Sequence, residues 1–104
     1  MAQFDIYANT NPESKKNMPF LLDVQSDLLS ELSTRVVIPL VLSSKVKKPL
    51  NNLMPQFTIQ NTTVMMSTAE LASISIRLLT HKIGSLQNRR NEIIASLDFL
   101  ITGI

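Results

Sequence analysis

SLQNRRNEIIASLDFLITGI, residues 85 to 104, carries the clearest helical pattern in the chain. Its apolar residues recur at spacings of three, four and seven, which places them on one side of a 3.6-residue period. Ser85 or Asn88 can cap the start, because a side-chain oxygen accepts an otherwise unpaired backbone N–H, and Gly103 suits a chain leaving a helix. We therefore predict a helix over residues 85–104. The apolar side comprises Leu86, Ile93, Ile94, Leu97, Leu100 and Ile101. The polar residues that fall mostly away from this apolar side are Arg89, Arg90, Asn91, Glu92 and Ser96.

The residues after this helix are unusual for a chain terminus. The last three, Thr102, Gly103 and Ile104, include no charged side chain. Termini are usually frayed and polar. An apolar residue behind a glycine is therefore expected either to pack on its own core or to be offered to a partner, and spacing alone does not decide between the two.

Composition limits the class of protein. A chain of 104 residues fits one domain, residues 1–104, which buries roughly 60–70 % of its unfolded surface. The absence of cysteine excludes disulfides and thiolate metal sites, and a net charge of +2 is too small to indicate a nucleic-acid surface. The start of the chain does not have the pattern of a secretory signal, and Pro39 interrupts the longest apolar run. We expect a soluble, cytoplasmic protein without a membrane segment.

The chain before the helix has the alternation and turn residues of short strands. Thr34–Leu42 is apolar on both faces, so we expect it to be central or at an interface, with Pro39 at a bulge or an edge. Asp23, Asp27 and Glu31 lie four apart and would stack like charges on a helix, so we interpret Gln25–Ser33 as irregular or as one helical turn that projects Leu28 and Leu29. The prediction is a mainly β, small antiparallel barrel or sheet with a C-terminal helix. The other predicted strands are Gln3–Ala8 (half-buried), Pro19–Val24, Gln56–Ile59, Thr63–Ser67 and Ser73–Leu79 (Ile74, Ile76 and Leu78 inside). We expect Gln56–Ile59 and Thr63–Ser67 to form a hairpin around Gln60-Asn61-Thr62, and Thr80–Gly84 to be a linker.

Residues able to carry chemistry are few. His81 is the single histidine, no spacing indicates a metal site, and two glycines cannot form a phosphate-binding loop. Arg35 precedes an apolar strand, where its guanidinium either anchors an ion pair or meets a carboxylate or phosphate of a ligand. The sequence favours a binding module over an enzyme, without catalytic residue, metal or cofactor. A short run of lysines, usually a solvated loop, comprises Lys45, Lys47 and Lys48.

Two stretches resemble the CcdB toxins. One is Asp23-Val24-Gln25-Ser26-Asp27-Leu28-Leu29 followed by Arg35-Val36-Val37-Ile38-Pro39-Leu40, and the other is the end of the chain, from Asn91-Glu92-Ile93 to Gly103-Ile104. The segment Gln3-Phe4 with Tyr7 and the pair Met65-Met66 fit the same pattern. The resemblance runs from end to end, with poorer agreement in the loops 9–17 and 43–55.

The resemblance implies a single CcdB-like domain with an SH3-like barrel, of the kind shared with MazF-type toxins, that forms a homodimer. It implies a toxin that binds the DNA gyrase A subunit and traps the enzyme on cleaved DNA. A cognate CcdA-like antitoxin would neutralise the toxin, and the pair would repress its own operon, so that DNA is reached only through the complex. The gyrase contacts carried over by position are Leu28, Leu29, Asp98, Thr102, Gly103 and Ile104.

The chain departs from the family at one contact position. The best-known member has tryptophan where this chain has Thr102, and truncating a tryptophan hot spot costs about 2–4 kcal/mol. Two alternatives stay open: a MazF/Kid-like endoribonuclease on the same fold, and a degenerate homologue that binds only antitoxin. The ribonuclease would need Arg35, Thr34 and His81 to come together, and no spacing joins them.

Overall fold

A computed structural model describes residues 1–103 of the chain, so the prediction made for Ile104 lies outside the described residues. The described part is mainly β, with one helix at its end, and confirms the predicted fold class. Short 3₁₀ turns join several strands. The strands and helix are β1 (Asp5–Ala8), β2 (Phe20–Asp23), β3 (Thr34–Leu42), β4 (Gln56–Ile59), β5 (Thr62–Met66), β6 (Ala72–Ser75), β7 (Lys82–Ser85) and α1 (Arg90–Thr102).

The long strand β3 organises the sheet. Along one edge β3 pairs with β2, and along the other it pairs first with β6 and then with β5. All of these pairings are antiparallel, and the strand order β4-β5-β3-β2-β1-β7 makes a curled sheet. The prediction that this apolar strand is central is therefore confirmed.

Pro39 lies in β3 without disrupting it. Its carbonyl accepts a hydrogen bond from the Ser67 N–H at 3.0 Å, on the side where β5 and β6 lie. The nitrogen and the carbonyl of a strand residue point to the same edge. The missing N–H therefore faces the gap between the β6 pairing, which ends at Val37, and the β5 pairing, which begins at Leu40. Pro39 sits at this gap rather than at a bulge or at the outer edge of the sheet.

The hairpin β4–β5 has a tighter turn than predicted. Gln60 and Asn61 have φ values of 49° and 64°, so both central residues are left-handed, as a two-residue type I′ turn requires. Thr62 already belongs to β5 and pairs with Ile59. The predicted hairpin is confirmed, with two loop residues instead of three.

The alternation predicted for Ser73–Leu79 is wrong beyond Ser75. The strand β6 ends there, and Ile76–Leu78 form a 3₁₀ turn whose start is capped by the Ser75 hydroxyl, which accepts from the Arg77 N–H at 3.2 Å. As a result Ile76 and Leu78 are exposed instead of inside, while Ile74 packs against a small buried group that includes Leu79.

The last strand and the first strand also differ from expectation. The segment predicted to be a linker forms β7, which pairs with β1 from Asp5 to Tyr7. Because β1 has neighbours on both edges and packed side chains on both faces, Asp5 and Tyr7 are buried, and β1 is not half-exposed. The Asp5 carboxylate lies 3.3 Å from the ammonium group of Lys82, the first residue of β7.

The helix is shorter at its start than predicted. Ser85 is still in β7, and the Leu86 N–H donates to the Phe4 carbonyl at 2.8 Å, so the helix cannot begin there. The Ser85 hydroxyl accepts from the Gln87 N–H, which opens the 3₁₀ turn Gln87–Arg89 ahead of α1. At the other end Gly103 is left-handed and its N–H donates to the Phe99 carbonyl at 2.9 Å, which confirms the predicted helix exit.

Helix α1 packs through a narrower apolar side than predicted. Ile93 is fully buried, with Ile94 and Leu97 partly buried against the same core, whereas Ile101 is 76 % exposed. Ser96, predicted to lie mostly away from the apolar side, is buried, and its hydroxyl donates to the Glu92 carbonyl at 3.1 Å. The core that receives the helix includes Phe4, Ile6, Phe20, Leu22, Ile38, Leu40, Phe57, Ile59, Val64 and Met66.

Replacing Ile93 by alanine should lower the free energy of unfolding by about 2–5 kcal/mol, because the fully buried side chain leaves a cavity. Ile101→Ala on the same helix is the matched control and should change it by less than about 0.5 kcal/mol, since Ile101 is mostly exposed. Urea denaturation followed by circular dichroism measures both. Equal losses in the two variants would contradict the packing of α1.

Candidate partner-binding site

The chain between β2 and β3 presents leucine side chains to solvent. We call residues 26–32 the leucine turn. Its centre, Asp27–Leu29, is a 3₁₀ turn in which the Ser26 hydroxyl accepts from the Leu28 N–H at 3.2 Å. Leu28 is 95 % exposed, and Leu29 and Leu32 are about half exposed. The prediction of one helical turn that projects Leu28 and Leu29 is confirmed.

Buried polar residues lie below the leucine turn. We call Asp23, Gln25 and Arg35 the polar cluster. The Arg35 Nε and Nη2 atoms lie 2.9 and 2.8 Å from Asp23 Oδ2, and Nη2 also donates to the Gln25 carbonyl at 3.2 Å. Asp23 Oδ1 accepts from the Gln25 N–H at 3.0 Å. Arg35 is 1 % exposed, so its role as an ion-pair anchor, one of the two expected from sequence, is the one observed.

The electrostatics of the cluster reflect its burial. Burial raises the pKa of the Asp23 carboxyl above the usual value for aspartate, and hydrogen bonds from Arg35 and from the Gln25 N–H oppose that rise. The pKa of the neighbouring Tyr7 hydroxyl is also raised, first by burial and then by the charges of Asp5 and Asp23. A permanently charged guanidinium therefore compensates a carboxylate that has lost its water.

Direct bonds connect the cluster to the leucine turn. The Gln25 side-chain amide donates to the Leu29 carbonyl at 3.2 Å, and Asp27 Oδ1 accepts from the Gln3 N–H at 2.8 Å. The same Asp27 oxygen lies 3.6 Å from Arg35 Nη2. The turn is thus bonded on one side to the segment before β1 and on the other to the interior. These bonds fix its backbone while its leucine side chains stay exposed to solvent.

The end of α1 carries the second group of predicted contact residues. Asp98, Thr102 and Gly103 are exposed, and the Thr102 hydroxyl donates to the Asp98 carbonyl at 2.7 Å, one helical turn back. Leu28 and Leu29 lie on a different element, and among residues 1–103 no hydrogen bond or ion pair joins the two groups. The position of Ile104 relative to them lies outside the described residues.

One family comparison bears on this arrangement. The sequence model of the family described as CcdB protein matches residues 3–103 of the 104-residue chain. The chain belongs to the CcdB family. Membership indicates a toxin of a toxin–antitoxin system, and the mainly β sheet with a C-terminal helix is consistent with the CcdB fold.

The residues needed for the ribonuclease alternative are not brought together. The Arg35 guanidinium is buried and already bonded to Asp23 and Gln25, so it does not face a groove in which RNA phosphate can bind. His81 is exposed next to β7, and strands β2 and β1 lie between it and β3, which carries Thr34 and Arg35. Among residues 1–103 of this CcdB family chain, the only hydrogen-bond partner of the His81 ring is the neighbouring Thr80 hydroxyl, at 2.9 Å.

A groove of about 500 Å³ was missed by the sequence reasoning. It lies where the loop after β1 passes over β2, β3 and β6, and its floor includes Leu21, Val37 and Ile74. The single signal in the sequence was the apolar alternation of β6, which we assigned wholly to the core. Within residues 1–103, no cluster of metal-ligating side chains is found, and no helix is long and apolar enough to cross a membrane.

Sequence reasoning also missed Asp23 and Gln25 as part of the site. It interpreted Asp23, Asp27 and Glu31 only as like charges that disfavour a helix, and it gave Gln25 no role. The only available signal was Arg35, for which an ion pair was one of two expected roles, and in the structure its carboxylate partner is Asp23 on the paired strand β2.

Replacing Arg35 by methionine should lower the free energy of unfolding by about 3–5 kcal/mol, because Asp23 is left buried without its counter-charge. Glu92→Gln is the control, since its ion pair with Arg89 is partly exposed and should be worth at most about 1 kcal/mol. Thermal denaturation compares the two. An Arg35→Met variant as stable as Glu92→Gln would show that the polar cluster does not hold the fold.

Proposed function

We propose that this CcdB family protein is a toxin that binds the DNA gyrase A subunit and traps gyrase on cleaved DNA. The contact surface is formed by the leucine turn and the end of α1. The observation that carries the proposal is the almost complete exposure of Leu28 on a backbone that is bonded to the interior. Exposing leucine side chains to water is unfavourable, and these leucines do not pack in the core of their own subunit.

The energetics favour such a turn as an anchor. Burying a leucine side chain in a partner is worth about 1.5–3 kcal/mol. The turn is already ordered by Ser26, Gln25 and Asp27, so binding loses less conformational entropy there than on a free loop. Leu28 and Leu29 would therefore insert as apolar anchors into a pocket of the gyrase A subunit.

The end of α1 would supply the second part of the surface. Asp98 and Thr102 provide polar groups, and Gly103 allows the chain to turn out of the helix towards Ile104. A homodimer would present two copies of each group to a twofold target, because an isologous interface repeats every contact. Exposed Ile101, together with Phe99 on the last turns of the helix, would offer apolar area in place of the tryptophan that the best-known member carries.

The remaining parts of the proposal rest on family membership. A cognate CcdA-like antitoxin neutralises the toxin in the cytoplasm. Together the two proteins repress their own operon, and the toxin reaches operator DNA only through the antitoxin complex. We expect no cofactor and no chemical step at the toxin itself.

Leu28→Glu should weaken binding to purified gyrase A subunit by roughly thirtyfold or more, because a hot-spot loss of about 2 kcal/mol or more corresponds to that factor. Leu50→Glu, at an exposed leucine in a different loop, is the matched control and should bind as the wild type does. Surface-immobilised gyrase A subunit provides the measurement. Equal affinities for the two variants would remove the leucine turn from the proposal.

Deleting residues 102–104 should abolish the linear plasmid that accumulates when the toxin traps gyrase on cleaved DNA, and Ile104→Glu should reduce it strongly. Neither change replaces a residue of β1–β7 or a buried residue of α1. Sedimentation should give about twice the 11.6 kDa chain mass for wild type and variants alike. If the truncated protein yields as much linear DNA as the full chain, the helix end is not a gyrase contact. Degradation of a long RNA by the purified protein without gyrase would instead favour the ribonuclease alternative.

A further inference from the structure

Gln25 joins the leucine turn to the central strand through its side chain. Its Nε2 atom donates to the carbonyls of Leu29 and Thr34, both at 3.2 Å, and its Oε1 atom accepts from the Val36 N–H at 3.1 Å. The residue is buried, and its own backbone carbonyl accepts from Arg35. One carboxamide therefore satisfies three backbone groups from two different segments.

These bonds connect the chain after β2 to β3 beyond the last backbone pair of the β2–β3 ladder. The β2–β3 pairing ends at Asp23 and Val37, and one further bond runs from the Val24 N–H to the Val36 carbonyl at 3.0 Å. Beyond this point the chain leaves the sheet and returns only at Thr34. The Gln25 carboxamide links the leucine turn to the start of β3, because Nε2 bonds both Leu29 and Thr34 while Oε1 bonds Val36. The contact of Asp27 with Arg35 at 3.6 Å is a second and longer link.

We infer that Gln25 is a positioning residue for partner binding: it holds the leucine turn in the orientation in which Leu28 and Leu29 face outwards together. This inference rests on the proposed gyrase contact of those leucines. Gln25 itself is buried and does not have to touch the partner. Its effect is to fix the backbone in advance, so that binding does not lose entropy by ordering the turn.

The chemistry required at this position is narrow. Two carbonyls need N–H donors and one N–H needs an acceptor, and among uncharged side chains a planar amide supplies both. Glutamate has nearly the same shape, but its carboxylate only accepts, so it would face the Leu29 and Thr34 carbonyls with oxygen. Protonation returns one O–H donor to the group. Burial raises the pKa of a carboxyl, so protonation is expected above the usual glutamate value of about 4.3.

The other ionisable groups near Gln25 are common to the wild type and a Gln25→Glu variant. A difference between their pH profiles therefore reports on position 25. The charged or titratable groups on the adjoining elements are Asp5 and Tyr7 on β1, Asp23 on β2, Asp27 and Glu31 in the leucine turn, Arg35 on β3 and Arg77 after β6.

The test compares Gln25→Glu with the wild type by amide hydrogen exchange and by binding to purified gyrase A subunit, at about pH 7.5 and about pH 5. At the higher pH we expect exchange of the Leu29 and Leu32 amides, corrected for intrinsic rates, to rise about tenfold or more, with no change in the β4–β5 hairpin. Affinity for the gyrase A subunit should fall by a similar factor. At the lower pH both differences from the wild type should shrink.

Two further variants serve as controls for the effect of the Gln25 hydrogen bonds. Gln25→Met fills the same volume without hydrogen bonds and should show the same local loosening at both pH values. Val64→Ala removes core volume from β5, which pairs with the opposite end of β3, and should loosen β4 and β5 but not the turn. It therefore separates general loss of stability from loss of position.

Three results would overturn the inference. The first is unchanged exchange at the turn in both Gln25 variants. The second is a uniform rise of exchange over the whole chain, as in a merely destabilised protein. The third is a loosened turn that binds the gyrase A subunit as tightly as the wild type does. If the wild type itself fails to bind the gyrase A subunit, the proposed function fails, and the exchange data then show whether Gln25 holds the turn.

Discussion

The buried ion pair between Arg35 and Asp23 holds together the part of the fold from which the leucine turn projects. Both side chains are almost completely excluded from solvent, and both are bonded to Gln25 as well as to each other. A buried pair adds little compared with an apolar core, but breaking one is expensive because a single charge is left without water. The end of β2, the start of β3 and the turn between them are consequently held as one unit.

This unit departs in two ways from the rule that charged residues lie at the surface and apolar residues in the core. A charge pair is buried at Asp23 and Arg35, while Leu28, only a few residues along the chain, is almost fully exposed. Functional sites are where such local conflicts are expected. Here the two are related, because the buried polar groups provide the bonds that keep an apolar turn ordered at the surface. The same segment carries part of the resemblance to the CcdB family, to which the chain belongs.

The elements with strong local patterns could be predicted from the sequence. Strand β3 has its predicted bounds, because nine residues with apolar groups on both faces leave little choice. Strand β7 was missed because four residues that include a glycine and a lysine carry no clear alternation, and its pairing with β1 is set by distant residues. The start of α1 was placed too early because Ser85 serves the strand and the 3₁₀ turn instead of the helix.

For the candidate site, the exposed leucines were predictable and their support was not. The projection of Leu28 and Leu29 was predicted because acidic residues four apart disfavour a longer helix in this segment. The hydrogen bonds of Gln25 reach residues up to eleven positions away. No local sequence pattern predicts that a side-chain amide will bond backbone groups where strand pairing has ended. Ser96 was similarly missed, since its burial depends on how α1 meets the sheet.

We infer that the polar cluster influences partner binding through the leucine turn, and a double-mutant cycle on binding to the gyrase A subunit, with Gln25→Met and Leu28→Ala, measures this. If Gln25 acts through Leu28, the double variant should bind more tightly than the sum of the two single losses implies, by about 0.5–3 kcal/mol. Losses that add to within about 0.5 kcal/mol would mean that the two residues act independently, and would overturn the inferred connection.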